Sequence, residues 1–471
     1  MPIIGPMRAY HLENLSHDPI HGYIPFTAHH DPSDAVATER QIIDHPWVQR
    51  LRQIHQLQTA WWVYPTAEHT RFQHVLGAMH LASRVIAALY PSLCEVCPDT
   101  PSVGYIECLM RMAGLLHDVG HGPFGHFFDE HFLHRYQLTH ETLGAAIIQN
   151  ELAPLLRQLR ATPNHQLADD EQLDPRQIAW LITRPRADDA ATMPRWLVML
   201  RGLLSGIYTI DNMDFVLRDA YMSGYSQRAF DLDRLLHYSF FSPRGLTIHD
   251  RGMDALMRFM SVRSELFRSI YFHRTVRAID LTLADLFVES RDLLFSGNPV
   301  AQLDAYRNLT EWSVLVQVSQ WTHDADPVKC ELAKRWRQVL DRKIPWKMIV
   351  QRTQVYSENE SERSSIFSDP RFVEQKLREQ LPAELERIEL RVDIARHIFR
   401  PHTDGPSSGQ NFLYDSARDR IRPLDADTLF HRLPTAQRIC RIYACTDQYT
   451  EPLATALDTL LGAPLDDVTN M

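Results

Sequence analysis

The sequence predicts a mainly α-helical protein with a smaller α+β region toward its C-terminal end. Two observations predict it. Apolar residues recur at spacings of three and four through most of the first 330 positions, and strand-like runs separated by Gly- and Pro-rich loops gather after that point. Residues 1–45 are mixed and turn-rich, with the short extended candidate GYIPF. From residue 46 the pattern turns helical: PWVQRLRQIHQLQTAWWVYP places Val48, Leu51, Ile54 and Leu57 at helical spacing. HTRFQHVLGAMHLASRVIAALYP then repeats Phe72, Val75, Leu76, Met79, Ala82, Ile86 and Leu89, a helix expected to end near Pro91. A third apolar helix is expected over 105–118, followed by the glycine-rich VGHGPFGHFFDE.

Further helices are expected around HETLGAAIIQNEL and through 195–225 and 252–295, with a polar segment over about 153–176. The runs IELRVDIARHIF, QNFLYDSARDRI and QRICRIYACTD read as short strands, the first two joined by the loop PHTDGPSSGQ. SENESERSS reads as an exposed polar loop, and no internal repeat is visible. The expected domains are an N-terminal segment (1–45) packing on the core, a catalytic core (46–330) and a C-terminal α+β region (331–471).

Composition excludes several classes. With 44% hydrophobic and 23% charged residues among 471, the chain can bury a sizeable core and is not a disordered protein. A net charge of -10 and the lack of a basic cluster argue against sequence-independent nucleic-acid binding. Cys94, Cys97, Cys108, Cys330, Cys440 and Cys445 are scattered, which is no disulfide framework, and the one CxxC has no second pair nearby. No signal peptide or membrane-spanning run is visible, WLVMLRGLL being broken by Arg201, so the expected location is cytoplasmic.

The chemistry resides in acids and histidines set among apolar or glycine residues. His117 and Asp118 adjoin at the end of an apolar run, where a carboxylate is costly to bury unless it is paired or bound to a cation. Imidazole beside carboxylate is a ligand pair for zinc, iron or manganese, and Gly120 allows a helix end at which the two converge. His74 lies on the preceding helix and Asp211 far downstream in GIYTIDNMDFVLRDAYMSG. Each has an ordinary alternative: a hydrogen-bonded core histidine, an uninformative dipeptide, a helix cap. HDVGHGPFGHFFDE, with its further histidines and acids, tilts the balance toward a site.

The order H…HD…D, with AGLLHDVGHGPFGHFFDE, resembles the HD-domain metal phosphohydrolase superfamily. More narrowly it resembles the deoxynucleoside triphosphate triphosphohydrolases (dNTPases), both bacterial dNTPases and the HD domain of the vertebrate dNTPase that carries SAM and HD domains. DPIHGYI, RLRQIHQL, VYPTAEHTRFQHVLG, THE, DNMDFVLRDAYMSG and RSELFRSIYFHRTV match family segments in order, over about residues 17–295. No SAM-domain segment is expected.

The resemblance implies an HD-domain helical bundle holding one divalent transition metal (Fe, Mn, Zn or Ni) on His74, His117, Asp118 and Asp211, with Mg²⁺ or Mn²⁺ accompanying the triphosphate. Metal-activated water would attack the α-phosphorus and release a deoxynucleoside and inorganic triphosphate. His126 matches the family's general acid, with Asp129 to orient it; His121 and His140 match α-phosphate contacts, and Glu141 orients one of them. Arg71, Arg263 and His273 match phosphate contacts, and Tyr271 a residue near base and sugar. Gln56 and Asp219 match the pair that reads the 3′-hydroxyl, and Leu57 the residue that crowds C2′. Gly122 and Gly125 are expected to leave room for backbone close to a phosphate. The chain departs from the family at Gln58 (usually glycine), Phe215 (tyrosine in the vertebrate enzyme), Asn212 (often basic) and Gln73 (often glutamate). A homo-oligomer, dimer or tetramer, and a nucleotide activator are expected by resemblance. Open alternatives are an HD phosphohydrolase or phosphodiesterase on another nucleotide, a di-iron oxygenase recruiting His121 and His140, and a nucleotide-binding sensor.

Overall fold

A computed structural model describes residues 13–28, 36–183, 192–356, 369–385, 387–398, 411–424 and 436–461. The expected loops SENESERSS and PHTDGPSSGQ lie outside the described residues. The architecture is mainly α with a small α+β region. The chain groups into two compact units: Met1–Leu266 with Ser290–Gln317 and His402–Phe430, and Phe267–Glu289 with Val318–Pro401 and His431–Met471.

The first unit opens with an antiparallel hairpin, β1 (Glu13–Asp18) and β2 (Gly22–Thr27), whose turn is tied by the Ile20 and His21 amides donating to Asp18 Oδ1 at 2.9 and 3.0 Å. The helix expected from residue 46 is not continuous. One helical turn at Pro46–Gln49 passes into 3-10 turns at Arg50–Gln53 and Ala60–Trp62. Backbone pairing explains the break: Arg71 N donates to Ile54 O at 2.9 Å and Gln56 N to His69 O at 3.0 Å, and Gln58 stands at φ 51°. Left-handed backbone of that kind suits glycine, the residue the family usually carries there.

The long helix α1 (Arg71–Val96) starts at Thr70, whose amide donates to Gln73 Oε1 at 2.6 Å in a capping box. This gives the departure at Gln73 a local purpose. The helix does not stop near Pro91, as the sequence suggested; the proline lies inside it. Pro91 gives up one hydrogen bond late in the helix, where the final turns are secured by Cys97 N to Leu93 O (2.8 Å) and Tyr90 Oη to Pro101 O (2.9 Å). The apolar stripe of α1, from Phe72 through Leu93, is buried against α2 (Val103–Leu116), itself buried on every side from Gly104 to Leu116. Short helices α3 (His126–His131) and α4 (His140–Ile147) follow, then α5 (Ile210–Met222), which packs on α1, and α6 (Met253–Leu266).

Strands also occur where none was expected, at β3 (Ser239–Ser242) and β4 (Gly245–His249). They extend to β7 (Phe412–Asp415) and β8 (Arg420–Pro423) in the order β3-β4-β7-β8, with β4 and β7 parallel. In the second unit, β5 (Lys347–Tyr356), unforeseen in sequence, and β6 (Leu390–Ile398) flank β9 (Ala436–Ala444) antiparallel. Helices Pro370–Gln380 and Thr450–Leu461 cover this sheet around Val350, Val373, Leu377, Leu390, Ile442 and Leu457.

Candidate metal centre and catalytic cluster

Three helix ends converge in the first unit. His74 lies in the first turns of α1, fully buried. His117 is the residue on which α2 closes, and Asp118 follows it. Asp211 lies in the first turn of α5, which is capped by Thr209 (Oγ1 accepts from Asn212 N at 3.0 Å) rather than by Asp211 itself. His74 Nε2 is 3.2 Å from His117 Nε2 and 3.2 Å from Asp211 Oδ1; His117 Nε2 is 3.4 Å from Asp118 Oδ1 and 3.6 Å from Asp211 Oδ1. Tetrahedral donors about 2.1 Å from a cation sit about 3.4 Å apart, so these spacings suit the edges of a coordination shell.

The donor chemistry fits a divalent cation. His117 Nδ1 donates to Gly114 O at 2.8 Å, and His74 Nδ1 to Asp214 Oδ2 at 2.7 Å. Both Nε2 lone pairs therefore face each other, which is repulsive unless a proton or cation lies between them. Burial alone would push the His74 ring down, but hydrogen bonds with Asp211 and Asp214 outweigh it and hold its pKa up to about 10. Burial likewise opposes ionisation of Asp118, yet His117, Arg71 and His121 hold its carboxyl well below the usual range. Asp211, with 37% of its side chain exposed, opens the site to solvent.

A second cluster adjoins the first. His121, fully buried, places Nε2 3.3 Å from Asp118 Oδ1 and stacks on His140 at 3.8 Å between ring centroids. Among the described residues neither ring nitrogen of His121 forms a hydrogen bond, and burial with nearby Arg71 and His140 keeps it neutral. Asp129 accepts a hydrogen bond from His140 Nδ1 and stands 3.9 Å from His126 Nδ1, so in this geometry it backs His140 more closely than His126. His126 is exposed over 70% of its side chain. Glu141 follows His140 in the first turn of α4 and is half-buried.

The loop between these clusters is held from outside. Arg50 donates to His121 O (2.7 Å) and Val119 O (3.3 Å), Tyr306 Oη to Gly120 O (2.8 Å), and buried Glu311 accepts Phe124 N (3.0 Å) while binding His55 Nδ1 (2.5 Å). Gly122 and Gly125 make room for neighbouring side chains. A Cβ on Gly122 would overlap the Phe128 ring, and one on Gly125, at φ 59°, the Arg71 guanidinium.

Arg71 is buried and donates to Asp118 Oδ2 at 2.6 Å. Leu57 is buried, and Gln56 Oε1 is buried without a hydrogen-bond partner among the described residues. Asp219 accepts from His69 Nε2 at 2.8 Å. Phe215 lies half-buried on α5 and Arg263 in the last turn of α6. Tyr271 and His273 belong to the second unit, Tyr271 closing the turn Phe267–Tyr271 and His273 Nδ1 accepting Thr275 N at 3.3 Å. Asp214, Arg218, Asp18 and His21, which stand behind His74, were missed; Asp214 and Arg218 follow Asp211 by one and two turns of α5, a spacing that marks one helix face.

A helical fold carrying facing histidines and carboxylates of this kind is that of a metal-dependent hydrolase. Residues 71–189 match the family model described as the HD domain. The chain is 26% identical to the uncharacterized protein YwfO of Bacillus subtilis over 340 residues, covering 69% of this chain and 70% of that protein. It is 25% identical to the human deoxynucleoside triphosphate triphosphohydrolase SAMHD1 over 459 residues, covering 90% and 69%. The crystal structure of a hypothetical protein from Aquifex aeolicus shares the fold with a TM-score of 0.66 at 22% identity, covering 94% of this chain and 100% of that one. The comparisons thus give an HD-domain match over residues 71–189 and similarity to proteins that include a dNTPase. Among the described residues no helix is long and apolar enough to cross a membrane.

Proposed function

We propose that this protein hydrolyses deoxynucleoside triphosphates to deoxynucleoside and inorganic triphosphate. The observation that carries the reading is the adjacency of the two clusters: convergent donors on His74, His117 and Asp118 with Asp211 against both histidines, and beside them His121, His126, Asp129 and His140 within one small volume. Similarity to a deoxynucleoside triphosphate triphosphohydrolase supports the choice of substrate class. A divalent cation held by the first set, with Fe, Mn, Zn and Ni as candidates, would polarise a phosphate oxygen and acidify water.

The residues do the rest. Neutral His121, flat against His140, offers a ring nitrogen to the α-phosphate, and His140 is set in place by Asp129. His126, exposed at the edge of the cluster, is free to swing toward a leaving 5′ oxygen and donate its proton. Arg71 brings a buried positive charge to phosphate, and Gln56 an acceptor suited to a sugar hydroxyl. The roles of Leu57, Phe215, Asp219, Glu141, Arg263, Tyr271 and His273 rest on the resemblance alone, as do a homo-oligomeric state, a nucleotide activator, accompanying Mg²⁺ or Mn²⁺ and a cytoplasmic location.

The test is incubation of the purified protein with each dNTP, the matching ribonucleotides and cyclic dinucleotides in Mn²⁺, Mg²⁺ or Fe²⁺, with products resolved. Inorganic triphosphate from dNTPs is expected. Pyrophosphate or phosphate as the first product, or turnover confined to another nucleotide, would overturn the reading.

A further inference from the structure

Asp214 is wholly buried yet receives four hydrogen bonds: His74 Nδ1 to Oδ2 at 2.7 Å, Arg218 Nε to Oδ2 at 2.9 Å, Arg218 Nη2 to Oδ1 at 2.9 Å and His21 Nε2 to Oδ1 at 2.7 Å. Arg218 Nη1 continues to Asp18 Oδ2 at 2.7 Å, and the other Asp18 oxygen takes the amides of Ile20 and His21. The bonds close a ring: Asp18, its own turn, His21, Asp214, Arg218 and back to Asp18. Side-chain exposure around the ring is 6% or less.

We propose that this ring is the positioning shell of the metal centre, and that it makes the β1–β2 turn a working part of that centre. The inference rests on reading His74 as a metal ligand. A carboxylate on the outer nitrogen of a ligating imidazole fixes its tautomer, aims the inner nitrogen and strengthens it as a donor. Asp214 does this for His74. Arg218 lies across both Asp214 oxygens and balances the buried charge, while Asp18 and His21 keep the arginine and the carboxylate from turning away.

Helix α1 is shaped around the ring. Gly77 lies one turn after His74, and a Cβ there would overlap Asp214 Oδ1 and Arg218 Nη2. A glycine inside a long helix is otherwise unfavourable, and here it opens the notch in which the pair sits.

The experiment measures Mn²⁺ and Zn²⁺ affinity of the full chain by chelator competition, together with far-ultraviolet circular dichroism and melting of the metal-free protein. Asp214→Asn is expected to weaken metal binding by about 10–100-fold. Gly77→Ala, which leaves every charged group in place, and His21→Ala are expected to weaken it several-fold, with His21→Gln restoring much of the loss because its amide still donates to Asp214. A role in folding alone would lower melting without moving affinity. Wild-type affinity in Asp214→Asn, Gly77→Ala and His21→Ala, alongside lost binding in His117→Ala, overturns the shell. Wild-type affinity in His117→Ala overturns the metal reading instead. If Asp214→Asn does not fold, Gly77→Ala and the His21 pair decide the matter.

Discussion

Each unit buries a carboxylate against an arginine, and the two pairs end differently. In the second unit Asp393 on β6 accepts Arg277 Nε at 3.1 Å and Nη2 at 2.5 Å, and Arg441 on β9 lies 3.7 Å away. Burial opposes the Arg277 charge, yet Asp393 outweighs it and holds the guanidinium above its ordinary value. In the first unit Asp214 is bound as tightly by Arg218, but it also accepts from His21 and from His74, whose other nitrogen faces more donors across 3.2 Å. The lesson is that a buried ion pair by itself marks nothing. A site is marked where the bonded chain ends on lone pairs aimed at one another.

Breaking the comparison begins at its open end. His117→Ala or Asp211→Asn should leave only background metal on the purified chain by elemental analysis and abolish turnover, whereas Asp393→Asn should leave metal content unchanged. Retained metal in the first pair would erase the distinction between the units. His126→Ala should lower kcat by roughly 10²–10⁴ while metal affinity stays as in wild type; an unchanged rate would remove His126 as the proton donor. Asp393→Asn should cost about 3–5 kcal/mol, the range for breaking a buried pair, read from denaturant unfolding, with hydrolysis judged at a temperature where the variant is folded.

Acid sharpens the contrast. Burial would raise Asp214, but Arg218, His21 and His74 hold it well below the usual carboxylate range, and Asp118 is depressed in the same way. Groups depressed in the folded state contribute fully above their unfolded pKa, about 3.9, and lose that contribution as pH falls through the folded value. Melting of the metal-free protein should therefore drop below about pH 4; in Asp214→Asn the drop should be shallower, and an identical slope would show that Asp214 carries little of it.

What could be read from the sequence was whatever is local. The ends of α1, α2 and α5 announced themselves through Thr70, the GLLHD run and Thr209–Asp211, so His74, His117, Asp118 and Asp211 could be named and do come together. The ring behind His74 depends on a turn at residues 18–21 meeting a helix face nearly two hundred positions later, which no local pattern encodes. The same applies to β3, β4 and β5, whose strand character follows from partners elsewhere in the chain. Helical spacing at 46–57 is real, but pairing of 54–56 with 69–71 overrides it, and Pro91 reads as a stop although its helix has enough packing to absorb one lost bond.

The parallel pairing of β4 with β7 has a consequence for how the molecule is made. Thr247 takes Phe412 as its neighbour, so the edge of β4 waits uncovered on the ribosome until most of the polypeptide has emerged. During that interval His74 and His117 are already synthesised while a strand edge stands open. Chaperone demand and aggregation during expression should therefore concentrate there, and a chain truncated before residue 411 should be less soluble than one extended through residue 424.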